Sequence, residues 1–113
     1  MAETERELIR TTVTSFSRGI ILWLVNQKTM SGYGIVKELE RLTRQHLTSG
    51  LVYPLLYELE KEGFIAGEWT QKGRRRIKYY SITQSGIELL NRLRELFEMP
   101  VREALKDFIA KKA

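Results

Sequence analysis

Five cationic side chains lie close together near the middle of the chain, with no acidic residue among them. They are Lys72, Arg74, Arg75, Arg76 and Lys78. Guanidinium and ammonium groups bind phosphate oxygens, and arginine can do so through two parallel hydrogen bonds. A charge run is usually a solvated surface, but this one is predicted to lie at a hairpin tip, where mixed signs are more usual. The run therefore predicts contact with a nucleic-acid backbone.

The helix predicted just before this run carries a second set of side chains that suit DNA. Ser49, Gly50, Tyr53 and Tyr57 lie on the face opposite its leucines. Hydroxyl groups near a helix N-terminus can contact phosphates and base edges. The alternative for the two tyrosines is packing against the hairpin or the core. The first two turns hold no Arg, Asn or Gln, so we expect modest base specificity from this helix.

Other kinds of chemistry have few candidate residues. The chain has no cysteine and a single histidine, His46, which excludes thiolate zinc sites and multi-histidine metal cages within one chain. His46 is expected to be exposed, with contact to a phosphate as the alternative. Glu58 and Glu62 share a helix face and are expected to be solvated. We predict no catalytic residue, no metal site and no cofactor.

The elements that position these residues follow from hydrophobic spacing and capping signals. Helices are predicted over residues 6–27, from the N-cap Ser31 to residue 44, and from about residue 50 to residue 62, with Pro54 near the end of the first turn of the third. Gly32 and Gly34, in the first turn of the second helix, are expected to allow close approach of another backbone. Strands over 64–70 and 75–82 are joined by a turn in which Gly73 supplies a positive φ. Thr83 is expected to cap a last helix, which Pro100 kinks or restarts.

This order predicts a mainly α fold with a small β-hairpin, arranged as a winged helix-turn-helix. Residues 1–83 would form the DNA-binding domain, with the helix-turn-helix over 31–63 and the wing over 64–83. Residues 84–113 would form a C-terminal dimerisation helix. A net charge of +5 and a pI near 9.6 agree with an anionic partner.

The last helix has an apolar stripe that needs a cover, and the first helix is apolar nearly all round. We expect a homodimer in which the last helix packs on the first helix of the partner; the alternative is packing within the chain. The expected interface residues are Trp23, Leu89, Leu93, Leu96 and Phe97. Leu105, Phe108 and Ile109 are also expected to point inward. Trp23 and Phe97 could line an apolar cavity across the interface, or simply belong to the core.

Four segments of the chain resemble the PadR family of bacterial and archaeal transcription regulators. In order and spacing they are SGYGIVKELE, LTSGLVYPLLYELEKEGFI, GRRRIKYYSIT and TQSGIELL. The resemblance covers residues 20–90. It implies a homodimeric winged-helix repressor of pseudo-palindromic promoter DNA, with residues 50–57 in the major groove and residues 74–78 on the backbone or minor groove. For short members it also implies a small planar aromatic effector at the dimer interface, where Phe97 matches the position of an effector-stacking aromatic residue.

These observations favour a cytoplasmic regulator that binds double-stranded DNA. The longest apolar run, residues 19–25, is too short to span a bilayer, so we expect no membrane contact. The alternative class is a winged-helix RNA-binding or protein-interaction module without operator specificity. A small enzyme is disfavoured, because the chain lacks a nucleophile–base pair and a phosphate-binding glycine loop.

Overall fold

The computed structural model describes residues 2–44, 49–98 and 100–111. Its elements are α1 (Glu3–Gln27), β1 (Met30–Ser31), α2 (Gly32–Thr43), α3 (Ser49–Lys61), β2 (Ile65–Lys72), β3 (Arg75–Ile82), α4 (Gln84–Phe97) and α5 (Val101–Ala110). The predicted mainly α winged-helix fold is confirmed, with β1 as an addition. The last helix restarts after Pro100, as the sequence indicated.

Two predicted N-caps define where helices begin. The Ser31 hydroxyl accepts a hydrogen bond from the Gly34 N–H at 3.0 Å, and the Thr83 hydroxyl accepts one from the Gly86 N–H at 3.1 Å. The Thr83 hydroxyl also donates to the Gly63 carbonyl at 2.6 Å. This second bond fixes the start of α4 to the end of the α3 segment.

Pro54 lies further inside α3 than expected. We predicted it near the end of the first turn, but α3 begins at Ser49, which places Pro54 in the second turn. Proline has no N–H to donate, so the carbonyl of Gly50 lacks its usual intrahelical partner.

The sheet has β3 at its centre, with β1 and β2 antiparallel on either side. Lys72 pairs with Arg75, so the hairpin turn has two residues, Gly73 and Arg74, rather than the four predicted. Gly73 has φ of +62°, as expected for its position in this turn. We call β2, the turn and β3 the wing. β1 pairs through only two residues, Met30 with Tyr80 and Ser31 with Tyr79, which is too short for an alternating pattern to show in the sequence.

The core lies where α1, α2, α3 and the base of the wing meet. Its most deeply buried side chains are Ile21, Leu22, Ile35, Leu39, Val52, Leu56 and Ile65. In the described part of the chain, α1 is a helix long and apolar enough to cross a membrane by length and composition alone. Its C-terminal half contributes Ile21, Leu22, Leu24 and Val25 to the core, whereas apolar side chains of its N-terminal half, such as Leu8 and Ile9, are exposed in the single chain.

The stripe of α4 is covered in part by α1 of the same chain. Leu90 is buried, and the rings of Phe16 and Phe97 have centroids 6.1 Å apart. For this part of the stripe, packing within the chain is what the structure shows. Of the α5 side chains expected to point inward, Leu105 is half-buried, whereas Phe108 and Ile109 are 80% and 74% exposed in the single chain. Throughout α5 no residue is buried, since α5 extends beyond the core that would cover it.

Candidate nucleic-acid interface

A groove of about 470 Å³ lies between the exposed face of α3 and the tip of the wing. Tyr53 and Tyr57 of α3 form one side, Arg75 and Arg76 of the wing form the other, and the first turn of α2 closes one end. We call it the α3–wing groove. The structure thus brings the predicted tyrosines and the predicted arginines onto one surface, where a single polyanion can contact both.

The hairpin register decides which wing residues face α3. Trp69 pairs with Lys78 and Gln71 pairs with Arg76. Directly opposed residues of antiparallel strands project from the same face, and alternate residues share it. Arg76 and Lys78 therefore share the face that continues down to the buried Tyr80, while Arg75 belongs to the opposite face and borders the groove at the wing tip. At its base this face packs on the core, and at its tip it lines the groove.

Trp69 supports Arg76 within the groove. The guanidinium carbon of Arg76 lies 5.0 Å from the centroid of the indole ring. A planar guanidinium over an aromatic face gains electrostatic attraction and loses little hydrogen-bonding capacity. The sequence reasoning did not single out Trp69. Counting back from the Gly73 turn would have placed it opposite Lys78.

Lys78 is held by an acidic partner on α3. Its ammonium lies 2.7 Å from Oε1 of Glu60, and Oε2 of Glu60 accepts a hydrogen bond from the Gly67 N–H at 3.2 Å. The bond to Glu60 raises the pKa of Lys78 above its ordinary value. Glu60 was also missed by the sequence reasoning, although it lies one turn beyond Tyr57 on the same face. Lys78 is therefore an ion-paired group, whereas the sequence suggested a free cation.

The two tyrosines are positioned differently. A Cβ on Gly32 would come within 2.7 to 3.0 Å of three atoms at the outer end of the Tyr53 side chain, so the phenol depends on glycine there. The sequence suggested close approach of a backbone to Gly32, and the structure shows a tyrosine ring instead. Tyr57 is 68% exposed, so the alternative that its ring packs into the core is wrong.

The other predicted DNA contacts lie around the groove or away from it. Lys72 and Arg74 are exposed at the wing tip. Gly50 lines a different cleft, between α1 and α3, so it does not face the wing. Position 46 and the side chain of Ser49 lie outside the described residues. Glu58 and Glu62 are exposed, as expected, and Oε2 of Glu58 also lies 3.0 Å from Nη2 of Arg18 on α1.

Trp23 and Phe97 line a separate cleft of about 360 Å³ between α1 and α4. The structure brings the pair together within one chain, where the sequence suggested a meeting across an interface. Arg94 and Glu98 lie at its edge. Of the other expected interface residues, Leu89 and Leu93 are half-buried and Leu96 is exposed.

Tyr80 lies at the buried base of the α3–wing groove. Burial raises the pKa of Tyr80 and keeps its phenol neutral under the groove. No group of three or more His, Asp or Glu side chains in the described ranges could hold a metal ion.

Comparison with known proteins gives consistent matches. A family model described as the transcriptional regulator PadR-like family matches residues 21–92. Transcriptional regulator YqjI of Escherichia coli K12 is 30% identical over 91 residues, which are 79% of this chain and 42% of that protein. The chain therefore spans about two fifths of the length of the curated relatives it matches.

Two solved structures carry the comparison further. A PadR-like transcriptional regulator from Bacillus cereus has a TM-score of 0.72 and 27% identity, covering 84% of this chain and 92% of its own. PadR of Bacillus subtilis, solved in complex with operator DNA, has a TM-score of 0.61 and 30% identity over 70% of this chain and 46% of its own.

Proposed function

The chain belongs to the PadR-like family of transcriptional regulators, and on that premise we propose that it binds double-stranded promoter DNA as a homodimer and represses transcription. The family is one of transcription regulators and not of enzymes. We place the protein in the cytoplasm, where such DNA is found in bacteria and archaea.

The observation that carries this proposal is the shared α3–wing groove. Tyr53 and Tyr57 on α3 and Arg75 and Arg76 on the wing line the same surface. A helix of 13 residues is about 20 Å long, which suits insertion into a major groove. With α3 so placed, the wing tip would reach the neighbouring phosphates or the minor groove.

Each predicted contact has a distinct part in this proposal. Arg75 and Arg76, with Lys72 and Arg74 at the tip, would bind phosphates or enter a narrow minor groove. Tyr53 and Tyr57 would contact phosphates or base edges through their hydroxyl groups. Ser49 and Gly50 lie at the start of α3, where backbone N–H groups attract a phosphate. Lys78 is excluded from this set because of its pairing with Glu60.

Homodimer formation is supported by apolar side chains that the single chain leaves exposed on α1, α4 and α5. They are Leu8, Ile9, Val13, Phe16, Trp23, Leu96, Phe97, Phe108 and Ile109. A second copy would bury them and would place two α3 helices in successive major grooves about 34 Å apart. In this arrangement residues 1–83 form the DNA-binding domain, and residues 84–113 form the dimerisation helix that packs on α1 of the partner.

Regulation by a small planar aromatic effector is the finer part of the proposal. The cleft lined by Trp23 and Phe97 has the volume of a small-ligand site. Because it lies between α1 and α4, next to the exposed apolar side chains, a bound ligand would change the angle between protomers. That angle sets the spacing of the two α3 helices.

The decisive test is selection of bound duplexes from a random DNA library, followed by fluorescence anisotropy. We expect an inverted repeat with half-sites about one helical turn apart. The selected duplex should bind at least about 1,000-fold more tightly than a shuffled duplex at physiological salt. Equal affinities for selected, shuffled and RNA duplexes would favour the RNA-binding or protein-interaction class instead.

A further inference from the structure

We propose that Glu60 is a specificity-determining residue that holds Lys78 away from DNA phosphates. The α3–wing groove then presents to DNA one cation fewer than the wing sequence contains. The inference rests on the proposed DNA binding and adds a device that limits non-sequence-specific attraction. It concerns how the wing is held against α3, not which bases are contacted.

The geometry uses both oxygens of the Glu60 carboxylate. Oε1 lies 2.7 Å from Nζ of Lys78, while Oε2 accepts the Gly67 N–H at 3.2 Å. One α3 side chain therefore bonds to both strands of the wing. A Cβ on Gly67 would collide with Cε of Lys78, so the glycine leaves room for the pair.

The Lys78 ammonium is also enclosed by aromatic rings. It lies 5.8 Å from the ring centroid of Trp69 and 5.3 Å from that of Tyr80. The side chain is only 25% exposed. A phosphate would have to displace a carboxylate at hydrogen-bonding distance in a partly desolvated site, where ion pairs are stronger than at the surface. Lys78 and Glu60 thus act towards DNA as one neutral unit.

This pairing affects specificity in two ways. A free lysine attracts the phosphates of every sequence equally and so strengthens binding at the many non-operator sites. The same pair also fixes the wing relative to α3, which specific binding needs because base contacts and wing contacts must form together. Releasing Lys78 would therefore strengthen non-specific binding while weakening the alignment on which operator binding depends.

A purely structural ion pair predicts a different outcome. Its loss would lower stability and weaken binding to every duplex, without adding a phosphate contact. The dependence of affinity on salt separates these cases, because the slope of log Kd against log salt concentration reports the number of phosphates neutralised.

The experiment measures anisotropy of a shuffled duplex and of the library-selected duplex with full-length protein over a KCl series. We expect Glu60→Gln to steepen the salt slope on the shuffled duplex by about 0.9 for each protomer bound. Between 50 and 200 mM KCl, each released lysine then adds about a 3.5-fold loss of affinity. At the low-salt end the variant should bind the shuffled duplex more tightly than wild type, and its preference for the selected duplex should fall.

Two further variants complete the test. Lys78→Gln should keep the wild-type salt slope, because the paired lysine contributes no phosphate contact, and Glu60→Gln/Lys78→Gln should return to that slope. Glu38→Gln is the matched control: it removes the same charge and releases Arg41, which lies 2.8 Å from Glu38 on α2 outside the groove. It should leave the slope unchanged.

The outcomes are distinct. An unchanged slope in Glu60→Gln, or a slope reduced by Lys78→Gln, would overturn this inference while leaving DNA binding intact. The Lys78→Gln arm decides the question even if Glu60→Gln folds poorly. Failure of the wild type to bind either duplex would overturn the proposed function itself.

Discussion

Arg76 and Trp69 lie on the same face of the wing, with the guanidinium carbon 5.0 Å from the centroid of the indole ring. They come together because the two-residue turn at Gly73 sets the register, which places Trp69 opposite Lys78 and Arg76 two residues nearer the tip. The Arg76 guanidinium, which the proposed function places on DNA, is thus held by an aromatic residue on the neighbouring strand.

Trp69→Leu should therefore weaken DNA binding without removing any charge. An exposed cation–π contact is worth about 0.5 to 1 kcal/mol, which corresponds to about a 2- to 5-fold loss of affinity for each wing. Trp69→Phe keeps an aromatic face and should lose less. Fluorescence anisotropy with the shuffled duplex measures the effect, and equal losses for Leu and Phe would show that the ring face does not position Arg76.

The double substitution Arg75→Ala/Arg76→Ala should weaken binding to all duplexes and flatten the salt dependence. Each arginine that contacts a phosphate contributes about 0.9 to the slope of log Kd against log salt concentration. We expect a decrease of about 2 for each protomer. Lys106→Ala/Lys111→Ala removes the same charge from the far end of the chain and is the control. If the two double variants had the same salt slope, the wing would be excluded from the DNA interface.

Gly32→Ala tests whether the position of Tyr53 matters for DNA. The added methyl would come within 3.0 Å of ring and hydroxyl atoms, so the phenol must move. We expect about a fivefold loss of affinity, typical of one hydrogen bond. Alanine has a higher helix propensity than glycine, so the Tm should not fall. A lower Tm would therefore identify a loss of affinity that comes from poor folding.

A double-mutant cycle completes this test. If the phenol of Tyr53 contacts DNA, then Tyr53→Phe and Gly32→Ala remove the same interaction, and combining them should add little further loss. Additive losses in the anisotropy titration would show that Gly32 acts through another neighbour.

Much of the fold was predictable because its local signals agree. The Ser31 and Thr83 caps, the Gly73 turn and the leucine spacing of α3 each depend on residues a few positions apart. β1 was not predictable, because two residues show no periodicity and its pairing partner Tyr80 is far along the chain.

The site was predictable in its cations and tyrosines but not in how they are held. Glu60 and Lys78 are 18 residues apart, and only the packing of α3 on the wing brings them together. Phe108 and Ile109 have the spacing of a buried stripe, which indicates that something covers them without saying what does. Sequence patterns report which groups need partners, whereas tertiary structure selects the partner.

Alkaline pH should destabilise the fold through Tyr80 and Lys78. Burial raises the pKa of Tyr80, and the bond to Glu60 raises that of Lys78. In the folded protein each of the two groups holds its proton more tightly than in the unfolded chain. Their contribution to stability is therefore complete below about pH 10, the ordinary pKa of tyrosine. It is lost as the pH rises through the raised values.

Urea unfolding between pH 8 and 11 measures this dependence, with the range set about the ordinary tyrosine and lysine values. Tyr80→Phe should flatten the decline above about pH 10, since phenylalanine cannot lose a proton. Tyr57→Phe alters an exposed tyrosine and should keep the wild-type profile. A decline equally steep in Tyr80→Phe would show that other groups control the alkaline limit.

Phe108→Glu should convert the protein to a monomer that keeps its own fold. Phe108 is 80% exposed in the single chain, so the substitution removes few contacts within a protomer while placing a carboxylate in the proposed interface. Leu93→Glu is a less selective probe, since Leu93 is half-buried and its Cδ1 would lie 3.9 Å from a Cβ on Gly19 of α1. It should lower the stability of the protomer as well.

Light scattering gives the mass of the Phe108→Glu protein, and circular dichroism gives its helical content. Lys106→Glu, on the same helix, should remain dimeric. Losing the second α3 helix should lower affinity for the selected duplex by about 100-fold, and a Phe108→Glu protein that stays dimeric would move the interface away from α5.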